Sequence, residues 1–450
     1  MIAIKMRAAC ALLAGAASLF YSNFAWAVLP IQHWTQRSGA QVFLVESPTI
    51  PMVDVRLEWD GGSRRDPTEQ AGLASAMVGA MGDGVRATAQ DPALDENALS
   101  EAWADLGASF GGSASADRLS FALRSLTYPD LLPQAVALAA RQLAEPAFPE
   151  AVWLRDRPKL IASLKEALTR PGNVAAKAYA KAVYGSHPYG AETTEATLLR
   201  IGVAEFAALH AQLLRPCRAK VSLVGALNRA QADALVTQLL ARLPQGECPA
   251  LAPVPEVQAL TQAVQHDIAF GAAQAQVLMG QPGYPRRDPD HFALVVGNHI
   301  LGGGGFTSRL TTEVREKRGL TYSVYSYFAP GLHAGAFTVG LQTRPDQAQQ
   351  ALALVREELA KFVAEGPTEK ELKAAKDNLI GGFPLLLDGN RKLLENVANI
   401  AWNDLPLDYL DIWTQHIGKL TVADIRAAFG RKLQPEKMVT VVLGAPASSP

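Results

Sequence analysis

The sequence is short of charge of one sign, of cysteine, of long apolar runs and of paired histidines. Each shortage closes off a class of protein. Lys and Arg number 42 against 43 Asp and Glu, a net charge of −1. No excess of basic residues is present to neutralise phosphates, so neither a nucleic acid nor an anionic membrane is an expected partner. Beyond the first 27 residues no run is long and apolar enough to span a bilayer, and no stable membrane insertion is expected. Eight histidines are present, at 33, 187, 210, 266, 291, 299, 333 and 416. None has another His four residues away and none is followed directly by Glu, so no helix carries a local pair of zinc ligands. There is no Cys-x-x-Cys, and no G-x-G-x-x-G or Walker pattern to cradle a phosphate.

What is present reads as a globular protein of more than one domain. The chain has 450 residues, 49% of them hydrophobic, too many for one ordinary core. Residues 1–27 have the layout of a secretory signal peptide. Lys5 and Arg7 supply positive charge, Ala8 to Phe20 an apolar stretch, and Ala25-Trp26-Ala27 a small-x-small cleavage site. The alternative is an uncleaved anchor, for which the apolar run is short. After cleavage Cys217 and Cys248 remain. An even pair in an exported protein suggests one disulfide, with two free thiols as the alternative that spacing does not decide.

The chain also repeats itself. Gly61-Gly62-Ser63-Arg64-Arg65-Asp66-Pro67 recurs as Pro282-Gly283-Tyr284-Pro285-Arg286-Arg287-Asp288-Pro289. Val203-Ala204-Glu205-Phe206 to Gly225 parallels Val422-Ala423-Asp424-Ile425 to Gly444. Both offsets are about 220 residues, far longer than a solenoid repeat, so this is a duplicated domain. Residues 118–126 alternate as a half-buried strand does, and 132–145, 152–168, 347–365 and 369–380 have helical spacing. Strands grouped with packed helices predict an α+β fold of two homologous halves, each a mostly antiparallel sheet against helices. The expected division is a first domain over 28–243, a proline-rich linker over 244–261 and a second domain over 262–450.

The segment Ile300 to Ser326 strongly resembles the M16 (pitrilysin-like) zinc peptidases of the M16B type, and the resemblance extends over residues 30–445. It implies two α+β halves facing each other like a clam shell. It further implies that Arg315 and Tyr322, seven residues apart, reach an active site from a half that carries no metal. Gly303, Gly304 and Gly305 stand where the family commonly has glycines. They suit a substrate-handling loop or a structural turn, and the turn is favoured. Active members carry H-x-x-E-H, two zinc-binding His and a general base on one helix, with a distal Glu on a later helix. Here the aligned residues are Ser75-Ala76-Met77-Val78-Gly79, so Ser75, Val78 and Gly79 replace the ligands and the base. The distal Glu falls near Ala162 or Ser163, with Glu166 a turn away.

The resemblance therefore points to a non-catalytic subunit of a heterodimeric periplasmic zinc endopeptidase. Arg315 and Tyr322 would serve peptide substrates held by an HxxEH-containing M16 partner that carries the zinc. The alternatives are a catalytically inactive structural or scaffold homologue and a peptide-binding one. The run Arg315-Glu316-Lys317-Arg318 read by composition alone is a solvated helix surface. Gly107-Ala108-Ser109-Phe110-Gly111 fits G-x-S-x-G, but a strand rather than a helix follows it, which argues against a serine nucleophile.

Overall fold

The computed structural model describes residues 30–444, so the expected signal peptide lies outside the described residues. In chain order the strands are β1 (Gln32–Thr35), β2 (Gln41–Glu46), β3 (Met52–Asp60), β4 (Gly84–Val85), β5 (Leu94–Asp95), β6 (Ser109–Ala114), β7 (Arg118–Leu126) and β8 (Lys220–Gly225). The second half supplies β9 (Val264–Ile268), β10 (Ala275–Tyr284), β11 (Ser323–Phe328), β12 (Gly335–Thr343) and β13 (Val439–Leu443). The first large sheet runs β1-β2-β8-β3-β7-β6 and the second β11-β12-β10-β13-β9; β4 and β5 form a small ribbon. All neighbours are antiparallel except β2 with β8 and β9 with β13. Laid over one another, β2-β8-β3-β7-β6 and β9-β13-β10-β12-β11 have the same order and the same parallel pair. The duplication seen in sequence is thus a duplication of topology.

Alternation explains the strands. In β3, Val53, Val55, Leu57 and Trp59 are fully buried on one face, and in β7 so are Leu119, Phe121 and Leu123. They pack with the helices Leu73–Ala80, Leu132–Ala144, Val203–Leu213 and Arg229–Leu240 into the first core. The strand read at residues 275–279 runs on through Pro282, where the register against β12 shifts before Tyr284. Proline is tolerated at such an irregularity because the ladder bond it lacks is already interrupted.

The opposite face of each sheet is covered by a helix from the other half. Helix Pro171–Tyr184 of the first half lays Ala175, Tyr179 and Val183 on Ala336, Val439, Val441 and Leu443 of the second sheet. Helix Asn390–Trp402 of the second half lays Leu393, Leu394, Val397 and Ile400 on Phe43, Val45 and Val224 of the first. Their first residues, 171 and 390, lie 219 apart, the same offset as the sequence repeat. The Tyr179 hydroxyl donates to the Phe337 carbonyl at 2.8 Å. Gly280 leaves room for it, because a Cβ there would overlap both the Tyr179 oxygen and the Phe337 carbonyl. On the other side Lys220 Nζ donates to the carbonyls of Ala401 and Trp402 at 2.8 and 3.2 Å, closing the C-terminal end of the exchanged helix with a cation.

No regular element lies between Leu240 and Val264. That stretch is nonetheless tied down along its length. Arg65 donates to the Ala252 carbonyl at 2.8 Å, and His187 Nε2 donates to the Pro255 carbonyl at 2.9 Å while its Nδ1 accepts from the Tyr189 amide. Glu256 then meets His333 of the second half at 3.0 Å. Cys217 and Cys248 are joined in a disulfide that pins the same stretch to the start of β8. With a reciprocal helix exchange and a fastened connection, the two halves form one packed body.

Candidate functional site

Arg315 and Tyr322 come together. Residues Thr311–Glu316 form a π-helical turn, an over-wide turn that accompanies functional sites. Gly319, at φ +61°, ends it by donating its amide to the Arg315 carbonyl at 2.9 Å. The chain then enters β11 through Leu320 and Thr321, both buried. Thr321 Oγ1 lies 2.7 Å from the Ser323 carbonyl and 2.5 Å from that of Gln342. Tyr322 is therefore held by its neighbours while its own side chain is 79% exposed. The Arg315 guanidinium sits 5.1 Å from the Tyr322 ring centre and 4.9 Å from that of Phe306, itself 70% exposed.

The charge run resolves into two kinds of cation. Lys317 and Arg318 both bind Glu313, at 2.7 and 2.9 Å, and the Lys317 ammonium holds the Glu313 carboxyl below its usual range against the opposing effect of burial. Arg315 makes no ion pair among the described residues. A guanidinium stacked between aromatic faces keeps its edge N–H groups free to donate. The glycine run has a packing role. A Cβ on Gly302 would strike Ser326 of β11, and one on Gly303 or Gly304 would strike Asn298 or His299. Ser326 Oγ also meets Asn298 Oδ1 at 2.8 Å. Gly305, at φ +61°, turns the chain so that Phe306 projects beside Arg315.

Ser75 and Gly79 face a different place. They line a cavity of about 510 Å³ between helix Leu73–Ala80 and helix Glu150–Ala167, and Ser163 lines its far wall. Val78 is buried beside Gly112 of β6. A Cβ on Gly79 would meet nothing within 4 Å, so the space a ligand-bearing side chain would need is present and the side chain is not. Glu166 points away and pairs with Arg170 at 2.5 Å. Among the described residues no group of three His, Cys, Asp or Glu is placed to hold a metal. The hydroxymethyl of Ser75, the isopropyl of Val78 and the hydrogen of Gly79 do not fit zinc. None of the residues lining the cavity comes from the second half, so the structure does not bring Arg315 and Tyr322 into it. Ser109, the serine of the G-x-S-x-G pattern, lies within β6 itself.

Three residues here escaped the sequence reading. Phe306 follows the glycine run outside any periodic segment. Asp83 and Asp156 line the cavity, but no motif surrounds them. An exposed phenylalanine next to four glycines was the one available signal.

A two-sheet α+β duplication with an emptied ligand helix defines a peptidase-like fold without its metal positions. Comparison with known proteins agrees. The family model for the peptidase M16 inactive domain matches residues 200–379. The crystal structure of a peptidase M16 inactive domain from Pseudomonas fluorescens is 34% identical, with a TM-score of 0.87 over 93% of this chain and 99% of that one. An uncharacterized zinc protease of Streptomyces coelicolor is 37% identical over 34% of this chain, a match that spans only 33% of the Streptomyces protein. The non-peptidase homolog YmxG of Helicobacter pylori is 24% identical over 85% of this chain and 87% of its own. The chain belongs to the peptidase M16 family, as a homologue of the inactive-domain type.

Proposed function

We propose that this chain is the non-catalytic subunit of a two-chain M16 zinc endopeptidase. A partner with an intact H-x-x-E-H would hold the metal, and Arg315 and Tyr322 would act on the peptide in trans. The observation that carries the reading is the Arg315 guanidinium, free of any carboxylate among the described residues and stacked between two exposed aromatic rings. Exposed Tyr and Phe around a partly buried Arg have the composition of a contact surface.

Peptide hydrolysis develops negative charge on the former carbonyl oxygen. A Tyr hydroxyl and an Arg N–H placed against that oxygen donate to it, and one such donor is worth about 2.7–4 kcal/mol. The anchoring of Leu320 and Thr321 supports this role, since a donor must be pre-positioned to help. An extended peptide would reach the site as an added strand on a sheet edge. Export through residues 1–27 and work in the periplasm belong to the same proposal. The test is reconstitution. The pure chain cleaves no peptide, activity appears on adding the metal-bearing partner, and Tyr322→Phe lowers turnover of the complex. Chelator-sensitive proteolysis by the pure chain would refute the reading.

One observation favours a second reading, peptide binding without hydrolysis. The cavity at Ser75 and Gly79 remains open although its metal ligands are gone. Peptides co-purifying with the chain in the absence of any zinc protease would support it.

A further inference from the structure

The emptied ligand cavity has a chemistry of its own. Its walls are largely apolar, formed by Ala76, Ala80, Trp153, Leu160, Leu164 and Leu198, with Lys159 and the hydroxyls of Ser75, Ser163 and Thr193 also on the lining. At about 510 Å³ it lies in the size range of small-molecule sites and holds far more than one water. Two carboxylates line it, in unequal circumstances. Asp156 is engaged by Arg155 at 2.7 Å and by Lys159 at 2.5 Å. The Asp83 carboxylate has no hydrogen-bond or ion-pair partner among the described residues, and the residue is half-buried. Glu96 completes the local network through Arg155, at 2.8 Å. Three carboxylates thus face two cations, and one negative charge is left over at an apolar cavity.

We propose that this cavity binds a primary ammonium at the end of an alkyl chain, the side chain of a lysine in an extended peptide. The apolar walls suit the methylene stem and Asp83 suits the charge. A single carboxylate matches a compact ammonium better than the planar guanidinium fork of arginine, which is best satisfied by a bidentate partner. Burial first, and then the charges of Asp156 and Glu96, push the Asp83 carboxyl up to about 6, with the Arg155 charge offsetting part of the rise. The proposal rests on the peptide-handling reading above only for how a lysine arrives; the binding belongs to this chain alone.

The test is calorimetric titration of the full chain with Nα-acetyl-lysine N-methylamide, its norleucine analogue and its arginine analogue. At pH about 8 the lysine probe should bind about tenfold more tightly than norleucine, the increment of one charge-assisted hydrogen bond, and more tightly than arginine. The lysine preference should vanish in Asp83→Asn, and in the unaltered chain on acidification through about 6, as Asp83 gains a proton. Gly79→Leu should abolish binding of all three probes, because its side chain enters open space in the cavity. Equal affinities for lysine and norleucine, no binding of any probe, or lysine binding unchanged in both variants would overturn the proposal. The acidification arm needs no substitution, so a poorly folded Asp83→Asn would not blunt the test. No arm needs a partner chain, Arg315 or Tyr322. Failure here therefore leaves the trans-acting role intact, and failure of that role leaves probe binding unchanged.

Discussion

The two halves share a sheet order, a parallel pair and a reciprocally exchanged helix, yet they differ where the first long helix ends. In the first half, helix Leu73–Ala80 turns Ser75 and Gly79 to an open cavity. In the second, helix His291–Asn298 passes into a π-helical turn and a glycine run that place Phe306 beside Arg315 and Tyr322. Packing has been kept in both copies, while the exposed chemistry has diverged. Each half closes on its own apolar core, and the divergence is confined to the helix end and the loop that follows it.

Six substitutions probe how far the two halves are alike. The largest effect is expected at the exchanged helices. Tyr179→Ala removes a buried ring and its hydrogen bond to Phe337 and should cost about 3–5 kcal/mol, read as a lowered urea midpoint. Leu394→Ala on the mirror helix should cost about 2–5 kcal/mol. An effect at one helix alone would mean that the exchange is not mutual in energy. Next, Arg315→Ala or Tyr322→Phe should lower kcat of the proposed two-chain peptidase by about 10²–10³ while leaving the melting temperature unchanged. Cys217→Ser should cost about 2–4 kcal/mol by freeing a loop with a sequence separation of 31, measured by chemical denaturation under oxidising conditions. Phe306→Ala, which removes one of the two rings beside Arg315, should weaken binding of the proposed partner by only about 0.5–1 kcal/mol in titration calorimetry.

Stability should also depend on pH in a definite direction. Burial pushes Asp66 up to about 6 from 3.8, despite the amides of Gly72 and Ala74 donating to it. A carboxyl raised in the folded state binds its proton more readily there than in the unfolded chain. Its contribution to stability is therefore fullest below the unfolded value and is lost as pH rises from about 4 to about 6. Denaturation midpoints measured across that interval should fall with pH, and the slope should shrink in Asp66→Asn.

The duplicated architecture was legible in sequence because alternation and the 220-residue offset report local pattern. Residues 118–126 were read as a strand and form one over the same range. The exchange of helices was not legible. The alanine-rich face of residues 171–184 says that a surface is buried, not which sheet buries it. At the candidate site, Arg315 and Tyr322 were found only through the M16 resemblance. Composition treats Arg315, Lys317 and Arg318 alike, and only the folded position of Glu313 separates the paired cations from the free one. The glycines were read as a turn more than as a substrate loop, and their contacts with Asn298, His299 and Ser326 explain why side chains do not fit there. Phe306 lies inside the M16-like segment but at no position the resemblance singles out, and Asp83 sits in no motif-bearing stretch.

In the proposed complex Tyr322 acts on a peptide bond whose metal belongs to another chain. That role is tested most directly by mixing this chain, or its Tyr322→Phe variant, with an M16 subunit that carries an intact H-x-x-E-H, and measuring single-turnover peptide cleavage. The expected result is no cleavage by this chain alone, cleavage by the unaltered mixture, and about 10²–10³-fold slower chemistry with Tyr322→Phe at unchanged complex affinity. Equal rates for the two mixtures would contradict it.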